Sequence, residues 1–270
     1  MDPAPRVDGN GAGQVGQSRG CRVLHVIPVD APADRVRRVQ ALLESIAHPG
    51  TEVAVTALPG GPQDLEYHVA DHRALQLMLE QAHRWQRIYD AVVVACFYDP
   101  GLRELREVLD MPVVGVGLAS MHVASLLGAR FSVIVGRAKW IPRMADNAHV
   151  YGFTRRIASW RPVGVTVAQL HADPLGAYER IKEESRRAVA EDRAEVIVLG
   201  CAAMEDTAAR LQRELGVPVV DPVVAGFKLA EMLGDLRCKL GLSTSKVYDY
   251  EPPPGTGPDP ARVPGSAGGS

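Results

Sequence analysis

Two cysteines occupy matching places in this chain. Cys96 closes the apolar run "AVVVAC" (91–96), and Cys201 follows "EVIVLG" (195–200). A thiol deep in a strand simply packs, but the carboxyl end of a parallel strand is where ligands bind in open α/β sheets. Asp99 and Pro100 read as the N-cap and first residue of a helix after Cys96, and "MEDTAARLQREL" supplies a helix after Cys201. Helix N-termini beside such thiols lower their pKa and offer N–H donors to an oxyanion. Two thiols facing one carbon form the acid–base pair a racemase needs. One thiolate removes a proton beside a carbonyl, the other thiol delivers one to the far face, and backbone N–H groups hold the enolate oxygen between the two steps. That chemistry requires no metal and no organic cofactor. Cys21 and Cys238 have no partner of this kind and read as packing residues.

The elements that must position the pair are visible as short runs rich in Val, Ile and Leu that alternate with helical patterns. They lie at 22–29, 52–58, 91–96, 112–118, 131–136, 164–170, 195–200 and 218–223. Continuous apolar runs of this kind predict parallel strands covered on both faces by helices. Val36, Val39, Leu43 and Ile46 recur at helical spacing, and "YERIKEESRRAVAED" reads as an exposed amphipathic helix. The segment from "DAVVVACFYDPGL" also aligns with the one from "AEVIVLGCAAMED". Cys96 falls on Cys201 at an offset of 105, while Pro112, Val113, Val114, Ala124, Leu127 and Gly128 fall on Pro218, Val219, Val220, Ala230, Leu233 and Gly234 at 106. The pattern predicts two similar lobes, each a four-stranded, mainly parallel sheet flanked by helices, related by a pseudo-twofold axis. Lobe 1 is expected over 21–118 plus 222–242 and lobe 2 over 119–221. The Gly-, Gln- and Ser-rich start (1–20) and the Pro- and Gly-rich end (243–270) are expected to be disordered tails.

Composition narrows the partners. The 270 residues are 46% hydrophobic and 23% charged with a formal net charge of -2, so there is no basic footprint for nucleic acid or an anionic membrane. No run is long enough to span a bilayer, and the first residues lack a signal-peptide core, which points to the cytoplasm. Four cysteines without zinc spacing make neither a disulfide framework nor a metal site. A small-molecule substrate is the expected partner.

The segments "ACFYDPGL", "PVVGVGLASMHVASLLGARFSVIVG", "VLGCAAM" and "LGVPVVDPVVAGFKLAE" resemble hydantoin and allantoin racemases of the aspartate/glutamate racemase superfamily, over about residues 22–242. The resemblance implies a two-lobed α/β fold, cofactor-independent racemisation, and a homo-oligomer. It also implies that Cys96 and Cys201 are the acid–base pair and that Phe97, Ala202 and their backbone N–H groups line the pocket. Several positions depart from the family pattern. Pro28-Val29-Asp30-Ala31 replaces an Asn-Pro-Asn-Thr-like turn, Leu118 stands for a glutamate, Val135-Gly136 for Thr-Thr, and Ala203 for a glycine. These changes imply retained chemistry in an altered pocket. Pro28, Asp30, Phe97, Tyr98, Val135, Gly136, Ala202 and Ala203 are therefore the substrate-binding candidates.

Other residues have plainer readings. His25 and His122 read as hydrogen-bonded core residues rather than acid–base groups, and Asp221 as a helix cap. Tyr98 reads equally as a substrate contact or a surface loop residue. The favoured function is a racemase or epimerase acting beside an amide or imide carbonyl on a hydantoin-like ring. An isomerase or decarboxylase of the same superfamily, and a non-catalytic metabolite-binding module, are the alternatives.

Overall fold

The computed structural model describes residues 20–204 and 207–254. Two parallel sheets are built from one repeated plan. The first half runs β1 (Arg22–Val26), α1 (Ala33–Ile46), β2 (Glu52–Thr56), α2 (His68–Ile88), β3 (Ala91–Val94), α3 (Leu102–Val108), β4 (Val113–Gly115) and α4 (Val116–Leu127). The second half runs β5 (Phe131–Val135), α5 (Ile141–Val150), β6 (Ile157–Pro162), α6 (Val167–Ala172), α7 (Pro174–Asp192), β7 (Val196–Leu199), α8 (Ala208–Leu215), β8 (Val219–Val220) and α9 (Pro222–Leu240). The strand orders are β2-β1-β3-β4 and β6-β5-β7-β8, with every pairing parallel. The order is the same in both sheets, so the sequence repeat is a repeat of topology. Every residue of β3, β5 and β7 is buried, because helices cover both faces and leave no polar side to alternate.

Helices α4 and α9 exchange sheets. α4 leaves β4 of the first sheet and packs on β7 and β8 of the second, while α9 leaves β8 and returns to β1, β3 and β4. The two helices also pack on one another, and this pair joins the halves. Gly226 of α9 permits the contact, since a Cβ there would stand 2.6 Å from Val116 Cγ1.

Several local expectations are corrected. The run 164–170 is not a strand. Thr166 instead caps α6 in a capping box, its Oγ1 accepting from the Gln169 N–H (3.1 Å) while Gln169 Oε1 accepts from the Thr166 N–H (2.8 Å). The sixth strand is β6, "IASWRP", an only partly buried edge strand whose Trp, Arg and Pro hide the apolar signal. The runs 112–118 and 218–223 each divide into a short strand and the start of a helix. Asp221 is the cap that begins α9, accepting from the Val223 and Val224 N–H groups at 2.8 and 3.3 Å.

The expected C-terminal tail is ordered at its start. Lys246 Nζ donates to the carbonyls of Arg106, Glu107 and Leu109 at the end of α3. Thr244 bonds the carbonyls of Asp110 and Met111, and the Arg106 guanidinium lies 5.9 Å from the Tyr250 ring centroid. Unpaired carbonyls at a helix end attract such a cation, and a Pro-rich composition does not reveal that attraction. The rest of both expected tails, 1–19 and 255–270, lies outside the described residues. Among the described residues no helix is long and apolar enough to cross a membrane.

Candidate active site

The carboxyl ends of β1, β3 and β7 meet at a cavity of about 70 Å³. Its wall is made by the loops after those strands, by residues 63–66 ahead of α2, and by Trp140, Met144 and Val167. Both Cys96 and Cys201 line it, and each is half-buried and in no disulfide among the described residues. The two loops that carry them have the same shape. The Asp99 N–H donates to the Cys96 carbonyl at 2.8 Å, and the Met204 N–H donates to the Cys201 carbonyl at 3.1 Å. The amide two residues on faces each sulfur: Tyr98 N–H for Cys96, and Ala203 N–H at 3.4 Å for Cys201. Gly200 lets the second loop turn where it does, because a Cβ there would meet the Ile134 carbonyl oxygen at 2.8 Å.

The first loop does not begin α3 in the manner expected. Asp99 takes φ 49° and Gly101 takes φ 69°, so the helix starts only at Leu102 with no side-chain cap. The Asp99 carboxylate turns instead to α4. Its Oδ1 accepts from the Gly117 N–H and its Oδ2 from the Leu118 N–H, both at 2.8 Å, and the Tyr151 hydroxyl donates to Oδ2 at 2.8 Å. Asp99 thus caps α4 from the cysteine loop, as Asp221 caps α9 from its own N-terminus. The repeat equivalent of Asp221 is Gly115, and a Cβ there would stand 2.3 Å from the Asp99 carboxylate.

Burial decides the electrostatics. It pushes the Cys96 thiol above its ordinary 9.0; the Tyr98 amide opposes the rise, Cys201 and Asp99 add to it, and Arg35 opposes it. This reverses the expectation of a depressed pKa, because the α3 N-terminus lies further along the chain and desolvation outweighs the donors. Asp99 is likewise raised by burial to about 6, against the pull of the Gly117 amide, the Tyr151 hydroxyl and the Leu118 amide.

Residues from both halves close the cavity. The Glu66 carboxylate accepts from Arg137 Nη1 at 2.7 Å and from the Val167 N–H at 2.8 Å. Tyr98 is 7% exposed and not a surface residue; its carbonyl accepts from Asn147 Nδ2 and its ring lies edge-on to Trp140 and beneath the Arg143 guanidinium.

Of the substrate-binding candidates, Pro28, Phe97, Tyr98, Ala202 and Ala203 stand on the wall. Asp30, Val135 and Gly136 do not. Asp30 Oδ2 accepts from the Gly60 N–H at 3.3 Å, and Val135 is fully buried. Gly136 acts from behind, since its missing Cβ leaves room for the Trp140 ring that does line the cavity. His25 is 1% exposed with neither ring nitrogen hydrogen-bonded among the described residues, and burial lowers it to about 3, so it is a neutral core residue. His122 is exposed on α4, with Nδ1 2.9 Å from the Leu118 carbonyl. Sequence reasoning missed Arg35, Glu66, Trp140 and Met144. Only Arg35 carried a usable signal, a cation in the first turn after the first strand.

The profile of the Asp/Glu/hydantoin racemase family matches residues 24–230. The hydantoin racemase of Pseudomonas sp. (strain NS671) is 36% identical over 85% of this chain and 91% of its own length. The hydantoin racemase of Paenarthrobacter aurescens is 38% identical over 79% and 92%. Among solved structures, the allantoin racemase from Klebsiella pneumoniae superposes with a TM-score of 0.79 at 33% identity, covering 87% of this chain and 94% of that one.

Proposed function

Because the chain belongs to the Asp/Glu/hydantoin racemase family and is a racemase, an isomerase, we propose that Cys96 and Cys201 are its acid–base pair. The substrate is a hydantoin-like ring with its stereocentre beside an amide or imide carbonyl. The observation that carries this reading is the pair of thiols at equivalent loops on one cavity, each with an amide N–H two residues on.

One sulfur, as thiolate, takes the proton from the stereocentre. The C–H electron pair moves onto the carbonyl oxygen to give an enolate. The other sulfur, as thiol, returns a proton from the opposite face, and the electrons collapse back to carbon. The two sulfurs exchange roles with the direction of inversion. Loop N–H groups stabilise the enolate oxygen better than the ground-state carbonyl, which is the source of rate enhancement. The apolar wall excludes water and strengthens those bonds.

The test is incorporation of solvent deuterium into single-enantiomer 5-substituted hydantoins and allantoin. Wild type is expected to exchange the proton with loss of optical rotation, and Cys96→Ala and Cys201→Ala each to stop racemisation. Racemisation that survives in either variant overturns the two-thiol assignment.

A further inference from the structure

We propose that Asn147 and Tyr151, carried by the second half of the chain, are positioning residues that hold Cys96 of the first half in its place on the cavity. The proposal rests on the reading of Cys96 as one of the acid–base pair and adds what orients it. Arg143, Asn147 and Tyr151 recur at every fourth residue, so they share one face of α5 and its C-terminal cap. That face is turned to the two residues that follow Phe97 in the cysteine loop. The Arg143 guanidinium lies 4.3 Å from the Tyr98 ring centroid, Asn147 Nδ2 donates to the Tyr98 carbonyl at 2.8 Å, and the Tyr151 hydroxyl donates to Asp99 Oδ2 at 2.8 Å. Asparagine is a poor helix former, and the α5 ladder needs neither of these side-chain bonds.

Both bonds act on the backbone that carries the thiol. The Tyr98 carbonyl and the Asp99 N–H belong to one planar peptide. Asn147 grips that plane at its carbonyl, and its N–H donates to the Cys96 carbonyl at 2.8 Å, so rotating the plane would break both bonds together. The next residue is fixed as firmly. Asp99 takes φ 49°, a left-handed conformation that a residue with a Cβ keeps where its surroundings hold it, and its carboxylate is held by the Gly117 N–H, the Leu118 N–H and the Tyr151 hydroxyl. A sulfur that moves a proton to and from carbon must stand at a defined distance and angle, and a displacement of about 1 Å can cost about a hundredfold in rate.

The test pairs kinetics with thiol labelling in Tyr151→Phe and Asn147→Ala. Tyr151→Phe removes one oxygen and keeps the ring, so a readout survives if Asn147→Ala does not fold. On the 5-substituted hydantoin or allantoin that wild type racemises, each variant is expected to lower kcat at least about tenfold with KM held within about twofold. Timed iodoacetamide labelling with peptide mapping should show Cys96 alkylated at least about threefold faster, as its loop loosens, with Cys201 at its wild-type rate. The double variant should lose less than the product of the two single losses, because both residues hold one loop. An unchanged kcat in both variants, a loss carried by KM, or equal acceleration at both thiols overturns the proposal. Labelling needs no turnover, which separates the two readings. Selective exposure of Cys96 when wild type racemises none of the probes supports the positioning and removes the substrate assignment alone, and racemisation kept in full by both variants removes the positioning alone.

Discussion

Cys96 is a thiol whose surroundings hold its proton. Burial raises it above the ordinary thiol range while the Tyr98 amide and Arg35 draw it back. Under the proposed two-thiol mechanism the neutral form must lose a proton to act as base, so kcat/KM of the free enzyme is expected to rise with pH through the alkaline range. Iodoacetamide should alkylate Cys96 at pH 8 at least about tenfold more slowly than free cysteine, because each unit of pKa removes a factor of ten in thiolate. Peptide mapping after timed labelling reads this directly, and a rate matching free cysteine would contradict it. Asp99 gives a second pH signature with the opposite sign to most carboxylates. Between its ordinary 3.8 and about 6 the folded state keeps the proton that the unfolded chain releases. Rising pH therefore lowers stability across that window and leaves it level above it. Asp99→Asn should flatten the slope of melting temperature against pH there; an unaltered slope would assign it to another group, such as Asp110, which burial also raises. The cysteines were legible because both end apolar runs at one repeat offset. The role of Asp99 was not, because Asp-Pro is a good local helix start and nothing in the sequence shows that the carboxylate crosses to α4.

At the scale of elements, legibility followed burial. Strands covered on both faces wrote continuous Val and Ile into the chain, so β1, β3, β5 and β7 were found with only their ends misplaced. β6 was missed because an edge strand half open to solvent tolerates Trp, Arg and Pro, while the neighbouring "GVTVAQL" imitates a strand until Thr166 and Gln169 are read as a capping box. The C-terminal segment was misjudged for a related reason. Its attachment depends on Lys246 meeting three carbonyls of a helix more than a hundred residues earlier. Lys246→Ala is expected to cost about 1 kcal/mol in urea denaturation, with deuterium uptake rising at the end of α3. No change in either would mean that Thr244 and Tyr250 hold the segment without it.

For the whole molecule, one strand–thiol–helix plan used twice brings two like thiols to one cavity, and helices α4 and α9 cross between the sheets to fix the halves together. Topological duplication was legible in the offset of about 105 residues; the closure of the cavity was not, because it depends on single long-range contacts. Glu66 is the main one, carried by the first half and bound to Arg137 and the Val167 N–H of the second, with its side chain 5% exposed and that of Arg137 32%. Removing the carboxylate leaves the Val167 N–H without its acceptor and the partly covered guanidinium without its counter-ion, with Tyr67 as a remaining partner. Solvent at the guanidinium moderates that loss, so Glu66→Ala should destabilise the protein by about 1–3 kcal/mol. The distinctive consequence lies at the thiols. If Glu66 closes the cavity, the variant should admit water and reagent, so that Cys96 and Cys201 are both alkylated faster while kcat/KM falls about tenfold, the water weakening the bonds to the enolate. Glu66→Gln should sit between, since its amide oxygen still accepts from Val167 while the charge opposite Arg137 is gone. A loss of stability with unchanged thiol reactivity would make Glu66 a structural brace and would place closure of the site with Tyr98 and Trp140.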